Sequence, residues 1–227
     1  MTAAGLEGFL RVEASQVLPG LDELFFLVES RLHYSHTSIR DCIMGFNGMN
    51  NKHETAVFGG GCFWCTEAVF KSLKGVNSIL PGYTGGELKD PTYEQVSTGE
   101  TGYAEAVKIE FDPAVISYDD LLTVFFNTHD PTSLNRQGGD VSTDYRSAVF
   151  FTDPEQEAKV RKVIRELEAS KAYDKPIVTE VVPLAEFYPA EDYHRGYYET
   201  HKRDPYCELV IAPKMEKMQK IFAALLK

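Results

Sequence analysis

From residue 54 onward the apolar positions alternate between a period of two and a period near 3.6. "ETAVFGG" (54–60) is a short apolar run ending in glycines, and "AEAVKIEFDP" (104–113) alternates apolar and polar residues, so both predict strands. "VNSILPGYTGG" (76–86) predicts a strand running into a Gly-rich turn, and "YRSAVFFT" (145–152) and "IVTEVVPL" (177–184) predict two more. Helices are predicted at "CTEAVFKSLKG" (65–75), closed by Gly75, and at "SYDDLLTVFFNTH" (117–129), an amphipathic stretch with Ser117 as N-cap. Two further helices are predicted at "DPEQEAKVRKVIRELEASKAY" (153–173), with Pro154 in its first turn, and at "PAEDYHRGYYETHKR" (189–203). The last segment, "DPYCELVIAPKMEKMQKIFAALLK" (204–227), reads as a turn and an amphipathic helix. The order β-α-β-β-α-β-α-β-α predicts an α+β two-layer sandwich, with a mixed, ferredoxin-like sheet core and long connecting loops.

Residues 1–53 differ from the rest. "GLDELFFLVESRLHY" (20–34) has apolar residues at helical spacing, but the stretch after it is polar and punctuated by Gly and Asn. The chain therefore reads as an N-terminal extension over 1–53 and one domain with a C-terminal helix over 54–227, with Met44 and Met49 standing as alternative starts just before the domain.

Charge narrows the function classes. The 23 basic and 34 acidic residues among 227 leave a net charge of −11 and no basic stripe suited to phosphate backbones, so a nucleic-acid partner is not expected. No apolar run reaches the roughly 18 to 20 residues that cross a bilayer, and the expected setting is a cytoplasmic monomer. Four cysteines (Cys42, Cys62, Cys65, Cys207) are too few for a disulfide scaffold at this length. In a reducing compartment a close pair serves catalysis, redox exchange or metal binding instead.

The pair lies in "FGGGCFWCTEAVF" (58–70). Cys62 follows a strand and three glycines at the first turn of a helix, where unpaired N–H groups and the helix dipole favour an anion, so its pKa is expected to fall. Gly59, Gly60 and Gly61 clear its approach. Phe63 and Trp64 serve equally as core residues or as an apolar wall for a methyl group or thioether. A zinc site needs a second ligand pair, but downstream there are only Cys207 and the scattered His129, His194 and His201, so no metal is expected. Two readings remain: a thiol–disulfide exchange motif, which shares the x-x spacing, and a nucleophile whose oxidised form is resolved by a nearby thiol.

"GGGCFWCTEAVF" resembles the active-site signature of the A-type peptide methionine sulfoxide reductases. So do "GYTGG" (82–86), "PTYEQVSTGETGYAEAVKIEFDP" (91–113), "FFNTHDPTSLNRQGGDVSTDYRSAVFF" (125–151) and "FYPAEDYHRGYY" (187–198). The resemblance spans roughly residues 54 to 213. It implies that Cys62 attacks the sulfoxide sulfur and that Phe63 and Trp64 hold the terminal methyl. It also implies that Glu105 protonates the sulfoxide oxygen, that Tyr93 and Tyr145 hold that oxygen, and that Asp140 contacts the substrate main chain or orders the site. Cys65 stands where many members carry glycine, Gly139 where asparagine is frequent and Ser142 where glycine is frequent. The cysteine-bearing, Gly-rich tail of some members is absent.

The implied cycle passes through a sulfenic acid on Cys62 and an intramolecular disulfide that thioredoxin or an equivalent dithiol reduces. Cys65, one helical turn away, is the preferred resolving thiol and Cys207 the alternative. The implied activity is reduction of the S epimer of methionine sulfoxide, free or in oxidised proteins, without cofactor. The rival is a general thiol–disulfide oxidoreductase, which leaves Glu105, Tyr93 and Tyr145 without a task.

Overall fold

The computed structural model describes residues 53–227. The extension expected over 1–53, its helix and Cys42 lie outside the described residues, His53 excepted.

Strand β1 (Glu54–Gly60) has its last five residues buried, as a strand with neighbours on both edges and cover on both faces requires. After it come α1 (Phe63–Lys71), β2 (Val76–Thr84), the single turn α2 (Tyr93–Val96), β3 (Ala104–Phe111) and α3 (Tyr118–Thr128). A small hairpin of β4 (Arg136–Gln137) and β5 (Asp140–Val141) precedes β6 (Ser147–Phe151) and α4 (Pro154–Ala169). The chain continues through β7 (Glu180–Pro183), β8 (Phe187–Pro189), the short α5 (Tyr197–Thr200), a π-helical turn (Cys207–Ile211) and α6 (Ala212–Ile221).

The main sheet has six strands in the order β7-β6-β1-β3-β2-β8, antiparallel throughout except for the β6–β7 pair. Because β1 and β2 both run antiparallel to β3, the strands flanking α1 are parallel with β3 inserted between them. Alternation along the strands separates two apolar clusters. Ala56, Phe58, Val107, Ile109, Phe111 and Val149 point into the large aromatic core with Phe70, Leu121 and Phe125 of the helices. Val57, Ala104, Ala106, Ala148 and Phe150 form a smaller cluster on the other face.

Local chemistry sets the helix starts. Ser117 and Asp120 form a capping box for α3, and the Asp153 side chain accepts from the N–H groups of Glu155 and Gln156 at the start of α4, with Pro154 in its first turn. The predicted helix over 189–203 is broken: β8 takes Phe187–Pro189, Asp192–His194 is a 3-10 turn, and α5 has only four residues. Gly196, at φ +64°, reverses the chain in the middle of the expected helix. Strand β8 itself depends on Gly82, since a Cβ there would collide with the Tyr188 carbonyl and the Phe187 ring.

Candidate active site

Gly61 delivers Cys62 from the end of β1 to the N-cap of α1. Its φ is +86°, and a Cβ at this position would stand 2.5 Å from Gln137 Cγ, so the turn requires glycine. Gln137 cannot readily yield, because its Oε1 accepts from the Asp130 N–H at 2.8 Å and its Nε2 donates to the Asp130 carbonyl at 3.1 Å.

Glu105 lies on β3 with the parity of Val107, Ile109 and Phe111, which turns it toward the helix-covered face. It is 2% exposed, and its Oε2 accepts from the Phe63 N–H at 2.9 Å. Burial pushes its pKa up to about 8 against the pull of that N–H, with Asp144 and Asp140 adding to the rise. At neutral pH Glu105 therefore carries a proton it can donate.

Cys62, Phe63, Trp64, Tyr93, Glu105, Asp140, Tyr145 and Tyr206 line one pocket of about 270 Å³, partly open to solvent. The fold thus gathers seven residues singled out in the sequence into one place. Burial raises Tyr93 to about 12 and Tyr145 higher still, with the Glu105 charge next in effect for both, so the two phenols keep their protons and remain donors. Trp64 stacks on Tyr197 with ring centroids 3.7 Å apart, and its Nε1–H donates to His194 Nδ1 at 3.0 Å. That bond puts the proton of His194 on Nε2, and burial keeps the ring neutral.

The three described cysteines, Cys62, Cys65 and Cys207, are free thiols in one buried cluster with Ile211. Tyr206 Oη donates to Asp140 Oδ2 at 2.8 Å and stands 3.8 Å from Cys65 Sγ. The expected fall in the Cys62 pKa is reversed. Burial pushes it well up, and the neighbouring Cys65 thiol and the Glu105 charge act in the same direction. The first free N–H of the helix, that of Phe63, serves Glu105 rather than the sulfur. Cys65 is drawn the other way, to about 7, chiefly by the neighbouring Cys62 thiol, with Lys214 and Tyr206 assisting against burial. Burial, Asp204 and Cys65 all push Cys207 up.

Tyr206, His194 and Tyr197 belong to this site and were not singled out for it; the only sequence signal for Tyr206 was its place beside Cys207 in "DPYC". Among the described residues no group of three or more His, Cys, Asp or Glu is placed to hold a metal ion. His129 is instead bonded through its two ring nitrogens to the Phe125 carbonyl and Ser147 Oγ.

A thiol pair of which Cys65 ionises near neutral pH, facing a neutral carboxyl group and two phenols, can attack an electrophile through sulfur while its oxygen is protonated. That is the equipment of a thiol-dependent reductase of an oxygen-bearing group. The family model of peptide methionine sulfoxide reductase matches residues 54–225, and the chain belongs to that family. The peptide methionine sulfoxide reductase MsrA of Saccharolobus solfataricus is 54% identical over 169 residues, covering 74% of this chain and 94% of that one. The MsrA of Thermus thermophilus is 53% identical over 174 residues, covering 77% and 98%. Among solved structures, methionine sulfoxide reductase A of Corynebacterium diphtheriae aligns with a TM-score of 0.60 at 34% identity, covering 68% of this chain and 77% of that one. Mxr1 of Saccharomyces cerevisiae in reduced form aligns with a TM-score of 0.65 at 30% identity, covering 70% and 91%. The general thiol–disulfide oxidoreductase reading is not favoured by these relationships.

Proposed function

We propose that this protein reduces the S epimer of methionine sulfoxide, free or within oxidised proteins, and is recycled by thioredoxin or a comparable dithiol. The observation that carries the proposal is Glu105: a carboxyl group protonated to about pH 8, lining the same aromatic pocket as the Cys62 thiol. A sulfoxide is a poor electrophile until its oxygen accepts a proton, and this acid is ready to supply one.

In the proposed cycle Cys62 attacks the sulfoxide sulfur as its own proton passes to Cys65, and Glu105 transfers its proton to the oxygen. The S–O bond then breaks as the hydroxyl oxygen passes to Cys62. The bond just formed between Cys62 and the substrate sulfur breaks with its electron pair going to that sulfur, and methionine departs, leaving Cys62 as a sulfenic acid. The Cys65 sulfur then displaces that oxygen as water, and an external dithiol reduces the Cys62–Cys65 disulfide by exchange, becoming oxidised itself. Phe63 and Trp64 form the apolar seat of the methyl group, Tyr93 and Tyr145 donate to the oxygen, and Asp140, held by Tyr206, orders the wall toward the substrate main chain. A fixed methyl seat and a fixed oxygen site accept one hand at sulfur, since the other epimer exchanges the two groups.

Cys65 is preferred to Cys207 as resolving thiol because its surroundings favour the thiolate while those of Cys207 oppose it. The strand order β6-β1-β3-β2, made of two interleaved β-α-β units, supports a ferredoxin-like, two-layer reading of the domain over residues 54–227. Among the described residues the exposed large apolar side chains Leu88, Val115, Tyr193 and Leu209 come from separate segments and only Leu134 and Val141 share one, that of the β4–β5 hairpin, which supports a monomer. A site that begins each cycle as a dithiol suits a reducing compartment such as the cytoplasm; among the described residues no helix is long and apolar enough to cross a membrane.

The test is an NADPH-coupled assay with thioredoxin and its reductase, run separately on each diastereomer. Turnover of the S form alone, lost in Cys62→Ser, is the expected result. Activity retained by Cys62→Ser, or equal rates on both epimers, would overturn the proposal.

A further inference from the structure

A second cleft reaches Cys65 and shares no lining residue with the pocket of Glu105. Its walls include Gly60, Thr66, Phe125, His129 and Lys214. Lys214 lies in the first turn of α6, and its neighbour Met215 packs against the thiol cluster. Among the described residues Lys214 enters no ion pair with a carboxylate.

The other titratable groups around Cys65 make this cation stand out. Across the cleft His129 is neutral, its pKa lowered to about 4 chiefly by burial, with both ring nitrogens already bonded. Lys217, one position short of a full turn further along α6, donates its ammonium to the Asn127 carbonyl at 2.7 Å. Tyr206 remains a neutral phenol, since burial and the two thiols raise it far beyond the working range. Asp140 acts on Cys65 in the opposite direction to Lys214, and Asp204 and Cys65 act with burial against ionisation of Cys207. Lys214 is thus the one cationic side chain among the described residues lining the cleft.

We propose that Lys214 is a positioning residue that holds the negative charge of the thiol pair on Cys65, through both halves of the catalytic cycle. At the start this makes Cys65 the acceptor of the Cys62 proton. In recycling, an external thiolate attacks Cys62, the S–S bond breaks, and its electron pair goes to Cys65, which departs as the thiolate that Lys214 stabilises. The second thiol of the reductant then attacks the mixed disulfide, frees Cys62 and leaves the reductant as a disulfide. A leaving thiol of lower pKa leaves faster, so Lys214 also directs the incoming thiolate to Cys62 rather than to Cys65. The inference rests on Cys65 as the resolving thiol.

The test uses the full chain carrying Cys62→Ser, in which the introduced hydroxyl keeps a donor beside Cys65. The thiolate of Cys65 is titrated by its ultraviolet absorbance, as the difference from the same chain with Cys65→Ser added. Lys214→Ala should raise the titration midpoint by roughly half a pKa unit, about threefold less thiolate per unit of acidity, Lys214→Glu should raise it further, and Lys214→Arg should hold it in place. An unchanged midpoint in Lys214→Glu overturns the role of Lys214. Independently, in the chain with its cysteines intact, mass-spectrometric mapping after one turnover should find the Cys62–Cys65 bridge. A Cys62–Cys207 bridge overturns the resolving role of Cys65, while the midpoints still report on Lys214.

Discussion

The backbone N–H of Phe63 donates to Glu105 Oε2 at 2.9 Å, so the residue that follows the proposed nucleophile also holds the proposed acid. One hydrogen bond ties the start of α1 to β3 and fixes the separation between sulfur and carboxyl. It also occupies one carboxyl oxygen as an acceptor, which leaves the proton of Glu105 on the other oxygen, free to be donated.

Replacing Glu105 with Gln keeps an acceptor for Phe63 and removes the acid. Methionine release in a single turnover should fall by about 10²- to 10⁴-fold, the usual worth of a positioned general acid. In the unmodified protein that step should fail as pH rises through about 8, where Glu105 loses its proton. A rapid-quench pH series on both proteins checks this, and a descending limb that survives in Glu105→Gln would assign it to another group.

The same substitution should stabilise the fold. An unfolded Glu loses its proton near 4.5 and the folded one near 8, so between these values the native state binds more protons and stability declines as pH rises. The cost is absent below 4.5 and complete above 8, and by pH 7 it is on the order of 3 kcal/mol. Glu105→Gln should therefore melt higher than the parent at pH 8, with the difference closing toward pH 4. Equal melting temperatures at pH 8 would mean that Glu105 is ionised in the folded protein at little cost.

Gly61 tests the approach to Cys62. Ala here must adopt φ +86° and place its Cβ 2.5 Å from Gln137 Cγ, whose side chain is bonded twice to Asp130. The left-handed conformation alone costs about 1–2 kcal/mol, and the collision adds to it. Denaturant unfolding should show a loss of at least that size, with a matching fall in single-turnover rate, whereas Gly138→Ala, where a Cβ meets nothing within 4 Å, should lose only the left-handed term at φ +61°.

Much of this was legible in sequence for identifiable reasons. The burial of Glu105 follows from parity, because it shares a face with Val107, Ile109 and Phe111, although a lone strand glutamate is most often solvated. The caps at Ser117 and Asp153 announce their helices through residue type alone. What escaped depends on contacts between distant segments. Tyr206 reaches Asp140 across 66 positions, Trp64 reaches His194 across 130, and no periodic pattern encodes either. The state of the Cys62 thiol does not follow from its place at a helix N-terminus, because the first N–H there faces Glu105. The helix expected over 189–203 failed at Gly196, a residue that tolerates the reversal better than any other.

The last prediction separates the two resolving candidates. Cys65 sits in the first turn of α1, where Cys62, Tyr206 and Lys214 all favour its thiolate. Cys207 is fully buried in the π-helical turn, with Asp204 and Cys65 opposing ionisation. Cys65→Ser should release one methionine per chain, more slowly because the acceptor of the Cys62 proton is gone, and then stop, accumulating sulfenic acid on Cys62 that a dimedone-type probe captures. Cys207→Ser should continue to turn over with thioredoxin, with only the stability loss of about 1–3 kcal/mol that a hydroxyl in an apolar site brings. The π-helical turn gives the competing outcome its structural route, since local unwinding there would release Cys207 toward Cys62. Recycling that survives Cys65→Ser and disappears in Cys207→Ser would show that this unwinding, rather than the electrostatics of the resting thiol pair, governs resolution.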